Sequence, residues 1–206
     1  MADNNPDLQT RINALEERHS LVRVSQEVDP DLEINAILDR LARSNGPAVL
    51  FENVAGSDIP LIGNLFSSEE RLASFFDAEE LDSFAREKAP ALLNRHPEVA
   101  LTETTQEVPA EKAPCRAKQY VDDQVDLNKL PLLKLWPQSS GRHLNSGLVF
   151  TQNEQAATAR FGMPDMVMTG KNTLALEWVP GIADTILTRE IPAVIAVGAA
   201  PVTTVI

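Results

Sequence analysis

Arg142 and His143 stand side by side in the run Gly141-Arg142-His143-Leu144-Asn145-Ser146, just ahead of an apolar stretch. A guanidinium beside an imidazole suits an anion. The planar fork of arginine matches a phosphate or a substrate carboxylate, and histidine changes charge near neutral pH. The plainer reading is a solvated loop that caps a strand end. A second stretch, Ala159-Arg160-Phe161-Gly162-Met163-Pro164-Asp165, sets a proline and a bare carboxylate in a run that otherwise has the character of a buried strand. Proline removes a backbone donor, so it marks an edge or a bulge there.

Other candidates carry less. Cys115 is the only cysteine. It excludes an intrachain disulfide and fits a reducing cytoplasm. With no histidine near it in sequence, it reads as structural and not as a nucleophile. His19 and His96 close helical stretches, where an imidazole complements the dipole. Glu103, Glu107 and Glu111 recur every four residues in a weakly periodic stretch and read as solvated charge. Trp136 and Trp178 read as core or interface aromatics; stacking on a flavin is a less specific option. The sequence holds no P-loop, GxGxxG, HExxH or CxxC. No histidine is followed four residues later by a glutamate or a second histidine, the spacing that sets two metal ligands on one helix face. The residues alone supply no self-sufficient catalytic motif.

The elements that would position these groups follow from punctuation and periodicity. Asn5-Pro6-Asp7 starts a helix, with Leu8, Ile12 and Leu15 at helical spacing. Leu21 to Val28 reads as a strand. Asp29-Pro30-Asp31 starts a second helix with Leu32, Ile34, Ile37, Leu38 and Leu41 on its apolar face, stopped by Gly46-Pro47. Strands at 48–52 and 60–63 flank a Gly-Ser-Asp turn. Ser67 with Glu70, and Asp77 with Glu80, are capping-box pairs for helices through Phe76 and about Lys88. Residues 97–118 read as a crossing between domains. Beyond Leu130-Pro131 strands dominate: 146–152, 191–197, and a hairpin whose two arms flank Thr169-Gly170-Lys171-Asn172. An αβ half followed by a mainly β half is an α+β chain.

With 206 residues, 43% of them hydrophobic, the chain can bury a core. Its net charge of −12, from 18 basic and 30 acidic residues, argues against nucleic acid and against anionic membrane as partners. The start MADNNPDLQT has no basic region followed by an apolar core, so it is not a signal peptide. Apolar runs fall short of the roughly 20 residues a span needs. The expectation is a soluble, cytoplasmic protein.

Several stretches in one order add a resemblance. They are Leu21-Val-Arg-Val-Ser25 with Glu27 to Glu33, Gly46 to Asn53, Ile59 to Asn64, Ala113-Pro-Cys115, and Val125 to Pro131. Trp136-Pro137, Gly141-Arg142, Phe161-Gly-Met163, Lys171 to Leu174 and Ala196-Val-Gly198 with Pro201 complete the series. From about residue 20 onward the chain resembles the UbiD family of reversible, non-oxidative decarboxylases of aromatic and acrylic acids. The resemblance implies an N-terminal αβ domain (1–112) and then part of a split β-barrel of the flavin-reductase, FMN-binding type (113–206). It also implies prenylated FMN held with a divalent metal and potassium.

The same resemblance exposes departures. The family's strand reads roughly Asn-Leu-Gly-Ile-Tyr-Arg, with a metal-ligating asparagine and a substrate-contacting arginine. Without a gap, Arg160 falls on the asparagine and Asp165 on the arginine. The family's histidine falls at about Gly181, and two acid–base glutamates lie beyond Ile206. A guanidinium repels a hard cation, and an aspartate repels a carboxylate substrate. The resemblance therefore implies no catalytic or metal residue in this chain and no cofactor bound by it alone. It implies an accessory subunit that assembles with itself or with a full-length UbiD-type subunit, since half a barrel leaves strand edges and apolar faces open. The rival is an active carboxy-lyase subunit whose glutamates come from a partner, with Asn145, Ser146 and Met163 as the cofactor contacts. A third option is a small-anion binder using Arg142, His143 and Arg160.

Overall fold

The computed structural model describes residues 7–87, 109–153, 158–177 and 190–199. Helix α1 (Leu8–Glu17) is capped by Asp7, whose carboxylate accepts from the Thr10 amide at 2.8 Å. The cap is thus Asp7; Asn5 and Pro6 lie outside the described residues. Strand β1 (Leu21–Val24) is shorter than the 21–28 run, and Val28 makes only an isolated bridge to Val54. Helix α2 (Glu33–Arg43) starts later than its aspartates suggest. Asp29 instead accepts from the Asp31 amide at 2.7 Å, and Glu33 from the Asp29 amide at 2.8 Å. Leu32 enters the helix at φ 74° with no side-chain cap. The aspartates close on one another because a short carboxylate reaches its own backbone two residues on.

β2 (Ala48–Phe51) runs parallel to β1 and antiparallel to β3 (Leu61–Gly63), giving the order β1-β2-β3. All four residues of β2 are buried. Alternate side chains of a strand point to opposite faces, and the two cores divide accordingly. Ala48 and Leu50 pack with Ile12 and Leu15 of α1 and with Phe75. Val49 and Phe51 pack with Ile34 of α2 and with Val28, Val54 and Leu133. α3 (Glu69–Phe75) is capped by Ser68, one residue beyond the expected Ser67. Ser67 accepts instead from Arg71 Nη2 at 2.8 Å. Arg71 is itself buried, which pushes its pKa down. Asp77 does not cap α4 (Leu81–Glu87); it sits at φ 50° and accepts from Arg11 Nη1 at 3.2 Å.

Short 3₁₀ turns occupy much of 110–129. The second half then contributes β4 (Leu148–Asn153), β5 (Thr158–Gly162), β6 (Asp165–Gly170), β7 (Thr173–Glu177) and β8 (Ala193–Ala196). β4 is central in an antiparallel sheet of order β5-β4-β8, while β6 and β7 form a separate hairpin turning at Lys171-Asn172. The first hairpin arm is therefore not one strand with Pro164-Asp165 in its middle. It is two strands, β5 and β6, and Met163-Pro164 is the step between sheets. Pro164 is buried and ends one ladder, where its missing N–H leaves nothing unpaired. A third core of Leu132, Leu144, Val149 and Met166 lies under these strands. The mixed helix-and-strand class agrees with the α+β expectation. Among the described residues the strands form these separate ladders, and no closed barrel is seen.

Candidate functional site

Residues 142–144 run extended between two partners. Towards the hairpin, the Met168 amide donates to the Arg142 carbonyl at 2.8 Å and the Leu144 amide to the Met166 carbonyl at 2.9 Å. On the other edge, His143 and Leu133 exchange both backbone bonds, at 2.7 and 3.1 Å. Leu144 is buried in the third core, so the segment is held from three sides.

Alternation then sends neighbouring side chains to different places. Arg142 Nε donates to Asp31 Oδ1 at 2.7 Å. His143 Nδ1 lies 2.9 Å from Asp165 Oδ1, with the imidazole only 10% exposed and the carboxylate 50%. Asp165 is thus not a bare carboxylate. A neutral imidazole that donates from Nδ1 to a carboxylate is held in one tautomer, and Nε2 keeps its lone pair. Among the described residues Nε2 has no hydrogen-bond partner. Such a carboxylate-oriented imidazole can take a proton or ligate a transition metal through Nε2.

The structure brings together His143 and Asp165, a pair that sequence reading misses. The two are 22 positions apart, and no periodic spacing connects them; only the bridge between His143 and Val167 makes them neighbours. It separates Arg142 from His143, so the pair does not converge on one anion. Each of these side chains faces a carboxylate, which leaves the anion-binding trio without that support. Arg160 lies opposite Thr151 in the β4–β5 ladder.

Asn145 and Ser146 are exposed in the turn leading into β4, with Ser146 at φ 59°. Met163 is 52% exposed at the step into β6. Cys115, Glu111 and His19 are exposed. Trp136 is 60% exposed, which removes its core reading and leaves the interface one. His96, Glu103, Glu107, Trp178 and Gly181 lie outside the described residues. An open groove of about 510 Å³ is lined by Glu111, Lys112, Arg116 and Gln119 among others, and it includes neither His143 nor Asp165. No helix among the described residues is long and apolar enough to cross a membrane.

The fold is that of UbiD-class decarboxylases. A structure of HmfF from Pelotomaculum thermopropionicum, an evolved dimeric form in complex with prFMN, superposes with a TM-score of 0.79 at 22% identity, covering 95% of this chain and 45% of that one. Vanillic acid decarboxylase of Sedimentibacter hydroxybenzoicus (ShVdcCD), in open form with truncated ShVdcD, gives 0.82 at 23% identity over 96% of this chain and 43% of that one. Apo 3,4-dihydroxybenzoic acid decarboxylase of Klebsiella pneumoniae gives 0.75 at 21% identity, covering 95% and 43%. At such identities the likeness concerns the fold. The chain spans less than half the length of these structures.

Family membership comes from the sequence matches. Residues 12–88 match the N-terminal domain of 3-octaprenyl-4-hydroxybenzoate carboxy-lyase, and residues 106–206 match its Rift-related domain. The chain belongs to the UbiD family.

Proposed function

We propose that this protein is a non-catalytic, accessory member of the UbiD family that assembles with itself or with a full-length UbiD-type subunit. The observation that carries this reading is the His143–Asp165 pair at 2.9 Å. Asp165 aligns with the arginine that the resemblance assigns to the substrate carboxylate. A carboxylate held there by an imidazole repels that substrate where a guanidinium would clamp it.

The residues do not fit the family's metal–flavin group. Arg160, aligned with the metal-ligating asparagine, offers no donor to a hard cation. Asn145, Ser146 and Met163 remain the proposed contacts should a flavin be held in an assembly. The proposed organisation is an αβ domain over 1–112 and part of a split barrel over 113–206, in a cytoplasmic protein. Exposed apolar side chains such as Val194 (64%) and Met163 (52%) favour a covering partner.

One observation favours the alternative, an active subunit of a carboxy-lyase for aromatic or α,β-unsaturated acids. The Sedimentibacter enzyme, ShVdcCD, has a ShVdcD component. One experiment separates the two. The chain is co-expressed with a flavin prenyltransferase, with and without a full-length homologue, and examined by light scattering, flavin absorbance and CO2 release. Assembly without flavin or CO2 from this chain supports the accessory role. A soluble monomer that ignores the homologue overturns it. Flavin bound to this chain with CO2 release establishes the enzyme.

A further inference from the structure

We propose that residues 132–135 and 141–144 form a two-sided clasp that couples the β6–β7 hairpin to the Asp29–Leu32 turn of the first half. A change at Asp165 is then felt at Asp31, and the reverse. This inference is independent of whether the protein is an enzyme.

Three observations carry it. The first is a continuous backbone ladder. β7 pairs with β6; β6 bonds to 142–144; His143 exchanges two bonds with Leu133. Lys134 then donates to the Pro30 carbonyl at 3.1 Å and accepts from the Leu32 amide at 3.1 Å. Asn35 Nδ2 adds a bond to the Leu135 carbonyl at 2.7 Å.

The second is that adjacent residues belong to different cores. Leu132 packs with Leu144, Val149 and Met166, while Leu133 packs with Val28, Ile34 and Phe51. Neither side chain can shift without dragging the other's core, because cores are close-packed and deform in discrete steps.

The third is a pair of side-chain locks at consecutive positions. Arg142 holds Asp31 at 2.7 Å and His143 holds Asp165 at 2.9 Å. Both carboxylates are half-exposed, at 43% and 50%, so each can be engaged from solvent while tied to the segment. Gly141 starts the clasp where an added Cβ would lie 2.9 Å from the Met168 carbonyl oxygen. The close approach of segment and hairpin thus depends on the missing side chain.

Coupling between sites is reciprocal, which supplies the test. Amide hydrogen exchange is followed in the full chain at Leu144 and Met168, on the hairpin side, and at Leu32 and Lys134, on the first-half side. Asp165→Asn should accelerate exchange several-fold at all four amides, and Asp31→Asn should do the same from the other end. Lys171→Ala releases only the hairpin tip, where Lys171 Nζ donates to the Asp123 carbonyl, and should leave Leu32 and Lys134 unchanged. An Asp165→Asn effect confined to Leu144 and Met168, or an Asp31→Asn effect confined to Leu32 and Lys134, overturns the clasp. Should Asp165→Asn not fold, the Asp31→Asn arm decides the same question.

Discussion

At the scale of single residues, His143 is paired with Asp165 at 2.9 Å. An imidazole whose Nδ1 faces a carboxylate should hold its proton there. Long-range proton–nitrogen correlation spectra should therefore show His143 in the Nδ1–H form when neutral. Asp165→Asn should shift it towards the Nε2–H form, which predominates in free imidazole side chains; an unchanged tautomer in the variant would show that Asp165 does not orient the ring.

A second residue-scale prediction concerns acid. The Glu16 carboxyl is held below its ordinary value by the bond from Arg23, Asp7 by Thr10, and Asp126 by Asn128. Groups with depressed folded pKa values stabilise the fold fully above the unfolded carboxylate range. That stability is lost as pH falls through the folded values. The thermal midpoint should accordingly be flat near neutrality and fall below about pH 4. Asp7→Asn with Glu16→Gln should flatten that acid limb, as read by calorimetry across pH.

At the scale of elements, caps and turns decide where helices begin. Ser68 and not Ser67 caps α3, and α2 waits for Glu33 because Asp29 and Asp31 bond within their own turn. Such one- to four-residue displacements are invisible to pattern reading, since several oxygen-bearing side chains compete for the same amides. Pro164 marks a true interruption, but its meaning changed from a bulge within a strand to the passage between two sheets. The element-scale prediction rests on Gly141. A methyl there meets the Met168 carbonyl oxygen at 2.9 Å and Val167 Cγ1 at 3.1 Å, so relief requires the segment to move off the hairpin. Gly141→Ala should destabilise by about 1–3 kcal/mol, the usual range for overpacking. Denaturant midpoints measure this, and an unchanged midpoint would mean the segment gives way without cost.

At the scale of the whole molecule, Leu133 reaches across from the second half into the core of Val28, Ile34, Val49 and Phe51 in the first half. Leu133→Ala should cost about 2–5 kcal/mol, the range for a buried leucine truncation. It should lower the unfolding midpoints reported by tryptophan fluorescence and by far-ultraviolet dichroism together. Two separated transitions, with only the helical signal affected, would show that the halves unfold independently. The net charge of −12 adds self-repulsion to the compact state.

Much of this architecture was legible in the amino-acid sequence. Local signals specified the α-helices and most of the strands, though not the 3₁₀ turns or the split between β5 and β6: helical spacing in α1 and α2, the apolar run of β2, and the Gly170-Lys171-Asn172 turn of the hairpin. The family followed from an ordered series of short stretches, and Arg160 and Asp165 were visible as residue types. These features depend on neighbours in the chain, which is why they can be read there. Tertiary structure alone decided what surrounds Asp165. It turned Asp165 from a lone carboxylate into the partner of His143, parted Arg142 from His143, and placed Leu132 and Leu133 in different cores. Each of those outcomes depends on which strands become neighbours, through contacts between residues far apart in sequence that no local periodicity encodes.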